Sequence, residues 1–215
     1  MSYDEKYRQE ERLFGDKPSR IVQIYQDRID RAHPVLDMGA GQGRNALYLA
    51  KEGYSVHAVD LSQVGVDSIK KAAAGDQLPV EAHLCGFDRW EKPGAYSAVL
   101  LFGIIPDLDR DGIQTLAKKA SSWLRDDGLL LVNAFTIQEP AYHWYRDNCE
   151  LIGEHSYKTS DGRIRTFLKP GELRQVFGAL TMIAGMEDIG PWHTHGGDQP
   201  ERHFVAEAAF RKVPA

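Results

Sequence analysis

The spacing of apolar positions changes character at residue 33. Upstream of it, residues 3–12 are predicted helical, and a second helix is predicted from Lys17-Pro18 to about Arg31. Proline is tolerated in a first helical turn, and Asp16 stands where a capping side chain would. From His33 onward, short apolar runs alternate with amphipathic stretches. Strands are predicted at 34–37, 54–59, 80–85 and 96–102, with helices at 44–52 and from Ser62 to about Gly75. Gly53 is placed to terminate the first of these helices and Ser62 to cap the second. Asp109 opens a further helix in which Ile113, Leu116, Ala117, Ala120 and Leu124 recur at helical spacing. Gly128 is expected to end that helix, and Leu129-Leu130-Leu131-Val132 to form a buried fifth strand.

This alternation implies an α/β architecture, a doubly wound and mostly parallel Rossmann-like sheet with helices on both faces. The alternation lapses after Phe135. Residues 136–168 read as a long connection carrying Tyr142-His143-Trp144-Tyr145 and a hairpin turn at Ser160-Asp161-Gly162. Long connections of this kind often serve as lids or binding loops. A helix at 170–177 and two strand-like segments near 180–189 and 203–211 follow, so the chain closes on a hairpin-like pair. The 215 residues are expected to form one domain. Residues 1–32 would be a helical cap, 33–135 a cofactor-binding half and 136–215 a substrate-side half.

Composition narrows the class. Hydrophobic residues at 42% and charged residues at 27% fit a soluble globular chain rather than a disordered one. A net charge of -5, with no cluster of Lys and Arg, argues against nucleic acid as a partner. No apolar run approaches the ~20 residues that span a membrane, and the charged N-terminal stretch lacks a secretory signal. A cytoplasmic monomer or homodimer is therefore expected, acting on a small molecule. Cys85 and Cys149 are far apart and match no metal or redox spacing, so reduced thiols and no metal site are expected.

The segment with the most chemistry runs from Val35 to Asn45. Gly39, Gly41 and Gly43 fall at every second position where a strand gives way to a helix. Glycines there permit positive φ and close approach of a ligand to the backbone, and the helix N-terminus favours an anionic group. A dinucleotide fingerprint needs G-x-G-x-x-G, and Arg44 occupies the third glycine's place. Asp37 ends the strand, where a carboxylate repels a pyrophosphate and suits the ammonium of an amino-acid moiety. Asp60, at the tip of the second strand, is placed to accept hydrogen bonds from both hydroxyls of an adenosine ribose. A ligand with adenosine at one end and a zwitterionic amino acid at the other is S-adenosylmethionine.

The run Leu36 to Ala50, followed by Gly53-Tyr54-Ser55-Val56 and Asp60, resembles the tellurite-resistance methyltransferases. The Arg44-Asn45 pair and Leu47-Tyr48-Leu49-Ala50 are its more specific parts, supported by the blocks Phe167 to Arg174 and Glu187-Asp188-Ile189-Gly190 with His193. The resemblance implies a class I methyltransferase sheet whose last strand runs antiparallel. It implies that Gly39 and Gly41 line the cofactor and that Asp60 holds its ribose. The family's acid after the third strand aligns with Gly86, so Asp88 is the substitute. The expected cofactor set is then Asp37, Gly39, Ala40, Gly41, Arg44, Asn45, Asp60, Leu61, Phe87, Asp88 and Phe102. On the substrate side, His193 matches the family's C-terminal His, but the Arg that follows it is Thr194 here. Candidate catalytic residues are His193, Tyr7 and Arg202, within a tail that also holds His195 and His203. A chalcogen oxyanion such as tellurite or selenite, or a thiol, needs no general base, whereas a phenol or amine does. The alternative is a non-catalytic cofactor-binding protein of the same fold.

Overall fold

The computed structural model describes residues 2–190 and 202–214. Its centre is a seven-stranded sheet of order β3-β2-β1-β4-β5-β10-β9. The strands are β1 (Val35–Met38), β2 (Val56–Asp60), β3 (Val80–Leu84), β4 (Tyr96–Leu101), β5 (Leu124–Phe135), β9 (Thr181–Ile189) and β10 (Phe204–Arg211). The first five pair in parallel, and β10 runs antiparallel to both β5 and β9. This is the class I methyltransferase fold, with its last strand reversed as expected.

Side-chain alternation explains the two-sided core. Leu36 and Met38 face one layer, with Val99, Leu101 and the helices α5 (Arg110–Trp123) and α7 (Glu172–Val176). Val35, with Ala58 and Leu100, faces the other layer, formed by α2 (Arg20–Tyr25), α3 (Arg44–Lys51) and α4 (Gln63–Asp76). Every residue of β1 and β4 is buried, as parallel strands covered on both faces require. Capping fixes the helix starts. Ser62 accepts the Gly65 N–H at 3.0 Å, and Asp109 accepts the Gly112 N–H at 2.8 Å.

Four expectations need correction. The first helix, α1 (Tyr3–Gln9), ends early, because Glu10 turns extended after a Ser2–Glu5 capping box has set its start. Asp16 caps nothing; it pairs with Arg12 at 2.8 Å, and α2 begins only after Ser19. Gly128 does not end α5. Leu124 is already extended and paired with Tyr96, and the glycine lies in a kink of β5 beside Asp127 (φ 61°), where a Cβ would meet the Arg125 carbonyl at 2.8 Å. Residues 136–168 are not an irregular connection. They hold α6 (Tyr142–Asn148) and a second sheet, β6 (Glu150–Gly153), β7 (Ser156–Lys158) and β8 (Ile164–Thr166), in antiparallel order. The hairpin turn predicted at 160–162 joins β7 to β8. Tyr142, Tyr157 and Phe167 give this insert its own small core.

Candidate active site

Sheet order places β1 between β2 and β4, so the chain leaves these strands toward opposite faces. Such a switch point opens a crevice at the C-terminal strand ends. The glycine loop lies there. The Gly39 and Ala40 N–H groups both donate to the Val59 carbonyl, at 2.8 and 3.1 Å, extending the β1–β2 ladder past the strand. Gly41 has φ +56°, and a Cβ on it would stand 2.7 Å from the Tyr7 hydroxyl. Gly65, in the first turn of α4, allows an equally close approach from below: its Cβ would meet the Gly41 carbonyl at 2.5 Å. Gly65 was invisible to motif reading because the spacing that demands it is between segments.

Three carboxylates define the crevice chemically. Asp37 is buried and accepts the Ala46 N–H at 3.1 Å, so it occupies the start of α3 where a phosphate would otherwise bind. Burial pushes its pKa up to about 7, against the pull of the Ala46 bond and of Arg44. Asp60 accepts the Gly41 N–H and the Ser62 N–H, both at 2.7 Å. A carboxylate has about four lone-pair sites, so two remain for a vicinal diol. Burial raises the Asp60 pKa, and backbone hydrogen bonds from Ser62, Gly41 and Leu61 oppose it. Asp88 is exposed beside Gly86, and a Cβ on Gly86 would collide with its Oδ1 and touch Leu61 at 3.5 Å. Asp60, Leu61 and Asp88 therefore gather around one end of the crevice, and Asp37 marks the other. Leu61 is 72% exposed, which makes it an open lip rather than core. Phe102, at the end of β4, and Phe87 are packed into the cores flanking the sheet.

The Arg44 and Asn45 side chains hold the N-terminal cap. Both turn toward the N-terminal segment. Asn45 accepts the Ser19 N–H at 2.8 Å, and Arg44 donates to the Ser19 hydroxyl at 3.2 Å and the Phe14 carbonyl at 3.3 Å. Gln42, which the sequence reading passed over, accepts the Leu13 N–H at 3.0 Å and donates to the Glu10 carbonyl at 2.9 Å. Asp4 completes the attachment by accepting from the Ser62 hydroxyl. The cap is thus fastened to the glycine loop by the loop's own side chains. Tyr7 lies over that loop as a neutral phenol, since burial and then the charge of Asp60 raise its pKa. It can donate a hydrogen bond there but not serve as a base.

A second group of polar and aromatic side chains gathers beside the neighbouring strand ends. Tyr3 donates to Asp107 at 2.8 Å, and Asp107 pairs with Arg165 of β8 at 3.1 Å. The Arg165 guanidinium lies 5.7 Å from the Phe135 ring and 6.0 Å from the Tyr145 ring. Phe135 also stacks on His203 at 4.9 Å, and His203 bonds Glu139 at 2.7 Å. His193 and His195 lie outside the described residues; Arg202 is within them and exposed. None of Glu139, Arg165 and Asp107 carried a sequence signal, because the insert's fold was needed to bring them together.

Crevice and sheet are those of the class I S-adenosylmethionine-dependent methyltransferase fold. Residues 35–128 match the family model for a methyltransferase domain. A probable (S)-tetrahydroprotoberberine N-methyltransferase 2 from Papaver bracteatum is 29% identical over 122 residues, covering 55% of this chain and 34% of that protein. Hemagglutinin 1 of Eikenella corrodens is 53% identical over 48 residues, 22% of this chain and 16% of that protein. Among solved structures, TehB from Haemophilus influenzae aligns with a TM-score of 0.69 at 22% identity, over 90% of this chain and 62% of that one. At this identity the likeness is one of fold. The chain spans half or less of the length of the curated relatives it matches. Among the described residues no helix is long and apolar enough to cross a membrane.

Proposed function

We infer that this protein transfers a methyl group from S-adenosylmethionine to a small-molecule acceptor. The observation that carries the reading is the crevice itself: a glycine loop closed from above by Tyr7 and from below by Gly65, with Asp60 at one end and Asp37 at the other. The groups fit the cofactor. Asp60 retains acceptor capacity for the ribose hydroxyls, Asp37 faces the ammonium end directly or through water, and Asp88 stands where the adenine amino group would come. When bound, S-adenosylmethionine supplies an electrophilic methyl group on a sulfonium that departs as a neutral thioether. The chain's own part is to orient the reactants and exclude water, which the tethered cap and the insert favour.

The acceptor enters beside Tyr3, Asp107, Arg165, Phe135 and His203. A tellurite- or selenite-type oxyanion or a thiol rests on the family resemblance and on Arg165 as the cationic group. A nitrogen acceptor is the second reading, favoured by the Glu139–His203 contact and by relatives named as N-methyltransferases. Calorimetry with S-adenosylmethionine and S-adenosylhomocysteine tests the first step. Micromolar binding is expected, with a loss of at least about tenfold in Asp60→Ala, corresponding to one or two charge-assisted hydrogen bonds. Absence of binding to either nucleoside by the unmodified protein would refute the reading.

A further inference from the structure

The chain that leaves β4 is held by a side chain of β5. Leu101 pairs with Val132, so Phe102 and Asn133 are the positions at which the parallel ladder would continue. The ladder stops there, and Gly103 takes φ +73°, turning the chain out of the sheet. Asn133 secures that turn. Its Oδ1 accepts the Gly103 N–H at 2.8 Å, an amide oxygen in place of the peptide carbonyl that a longer ladder would have offered. The side chain starts from rigid backbone, because Asn133 lies inside β5 in register with Glu207 of β10. The bond decides where the next residue falls. Ile104 lies over Gly39, and a Cβ on that glycine would meet the Ile104 Cβ at 3.3 Å and its Cδ1 at 3.7 Å. Gly39 follows Asp37 closely, at the end of the crevice that Asp37 marks. Beyond Ile104 the segment is buried at Ile105 and Pro106 and reaches Asp107, which holds Tyr3 and Arg165. Asp107 thus fastens the far end of this segment, and Asn133 fastens the near end.

We propose that Asn133 is a positioning residue for methyl transfer: through Gly103 it holds Ile104 against Gly39 and so shapes the seat of the cofactor's amino-acid and sulfur end. The assignment rests on the methyl-transfer reading above. A glycine is the residue least restrained by its own backbone, so a turn at Gly103 needs an outside contact to select one conformation. The bond from a paired strand residue supplies that contact. Ile104 is β-branched, and once its backbone is set its side chain has little rotational freedom. The wall that faces Gly39 is therefore placed by a bond made one residue earlier. The adenosine end is supported separately, because Asp60 takes its own bonds from the Gly41 and Ser62 N–H groups. Asn133 is thus expected to act on one end of the ligand and not on the other.

The test is calorimetry on the full chain with S-adenosylhomocysteine and with adenosine, which lacks the amino acid and the sulfur. Asn133→Ala is expected to weaken S-adenosylhomocysteine binding about three- to tenfold, the range of one hydrogen bond, and adenosine binding by less than about twofold. Asn133→Asp keeps an acceptor of the same shape and is expected to recover most of the loss. Ile104→Ala leaves Asn133 and Gly103 in place and removes the wall itself, so the same selective loss is expected. This second variant decides the matter if Asn133→Ala folds poorly. Equal weakening of both ligands would mean a general loosening of the sheet end, and unchanged S-adenosylhomocysteine binding would mean that the wall is not used. Either result overturns the assignment while methyl transfer still stands, because the unmodified protein binds the nucleoside. If the unmodified protein binds neither S-adenosylmethionine nor S-adenosylhomocysteine, the methyl-transfer reading and the role of Asn133 fall together.

Discussion

Replacing Asp37 by Asn isolates the electrostatic cost of the crevice. The amide keeps an acceptor for the Ala46 N–H and removes the charge. In the unliganded protein the carboxyl has a pKa of about 7, raised by burial. In the unfolded chain it is near 3.9. Between these values the folded state holds a proton that the unfolded state has lost, so folding stability falls as pH rises. The slope is about 1.4 kcal/mol per pH unit over roughly three pH units, a loss on the order of 4 kcal/mol by pH 7 and nothing further above it. Against a typical total of about 5–15 kcal/mol this is a large share. Urea unfolding of the unliganded protein at pH 4.5, 6, 7 and 8 is therefore expected to show the wild type weakening steadily. Asp37→Asn should lack this component, matching the wild type within about 1 kcal/mol at pH 4.5 and exceeding it by up to about 4 at pH 8. The two proteins losing stability in parallel over that range would refute the reasoning. The same argument predicts that an ammonium-bearing ligand draws Asp37 back to its charged form. Proton release on binding S-adenosylhomocysteine near pH 6 is then expected in the wild type and not in the variant.

Two further substitutions probe the supports of the site. Gly65→Ala places a Cβ 2.5 Å from the Gly41 carbonyl, so backbone must move. A loss of about 1–3 kcal/mol, with weakened S-adenosylhomocysteine binding, is expected by thermal unfolding and calorimetry; unchanged affinity would show that the loop does not depend on this contact. Arg110 holds the insert through the Glu154 carbonyl at 2.6 Å, the Phe167 carbonyl at 3.0 Å and the Glu172 carboxylate. Arg110→Ala should lower hydrogen-exchange protection across residues 150–167 while β1, β4 and β5 keep theirs; equal loss in both would mean that the insert does not open on its own.

Local signals carried the sheet and the crevice far into the sequence. Ser62 and Asp109 cap the helices they were read to cap, and the hairpin-like end is the β9–β10 pair. Each of these depends on residues within a few positions of one another. The errors came where distance intervened. Gly128 reads as a helix stop, yet Trp123 is drawn fully into the core and donates its indole N–H to the Trp90 carbonyl, and the chain is already strand from Leu124. Residues 150–166 carry strands of three and four residues, too short for period-two alternation to register. Asp37 and Asp60 were legible because they sit at strand tips beside a glycine loop; Glu139 was not, because its partners His203 and Phe204 follow it by more than sixty positions.

The Arg44-Asn45 pair shows how one sequence mark can carry more than one task. Its spacing from the glycines suggests ligand lining, and its side chains also bond Phe14 and Ser19 of the N-terminal segment. Burial lowers the Arg44 pKa, and Asp37 and Glu207 counter it, so the guanidinium is also a fixed positive charge behind the Asp37 carboxylate. The loop motif therefore has two jobs on two faces. Its glycines and acids form the crevice, and its Gln42, Arg44 and Asn45 hold the cap that puts Tyr7 over Gly41 and Tyr3 against Asp107. Closure of the crevice and the Tyr3–Asp107 contact thus depend on the same short segment. A change in cap docking would be felt at both, which is why these polar residues belong with the glycines.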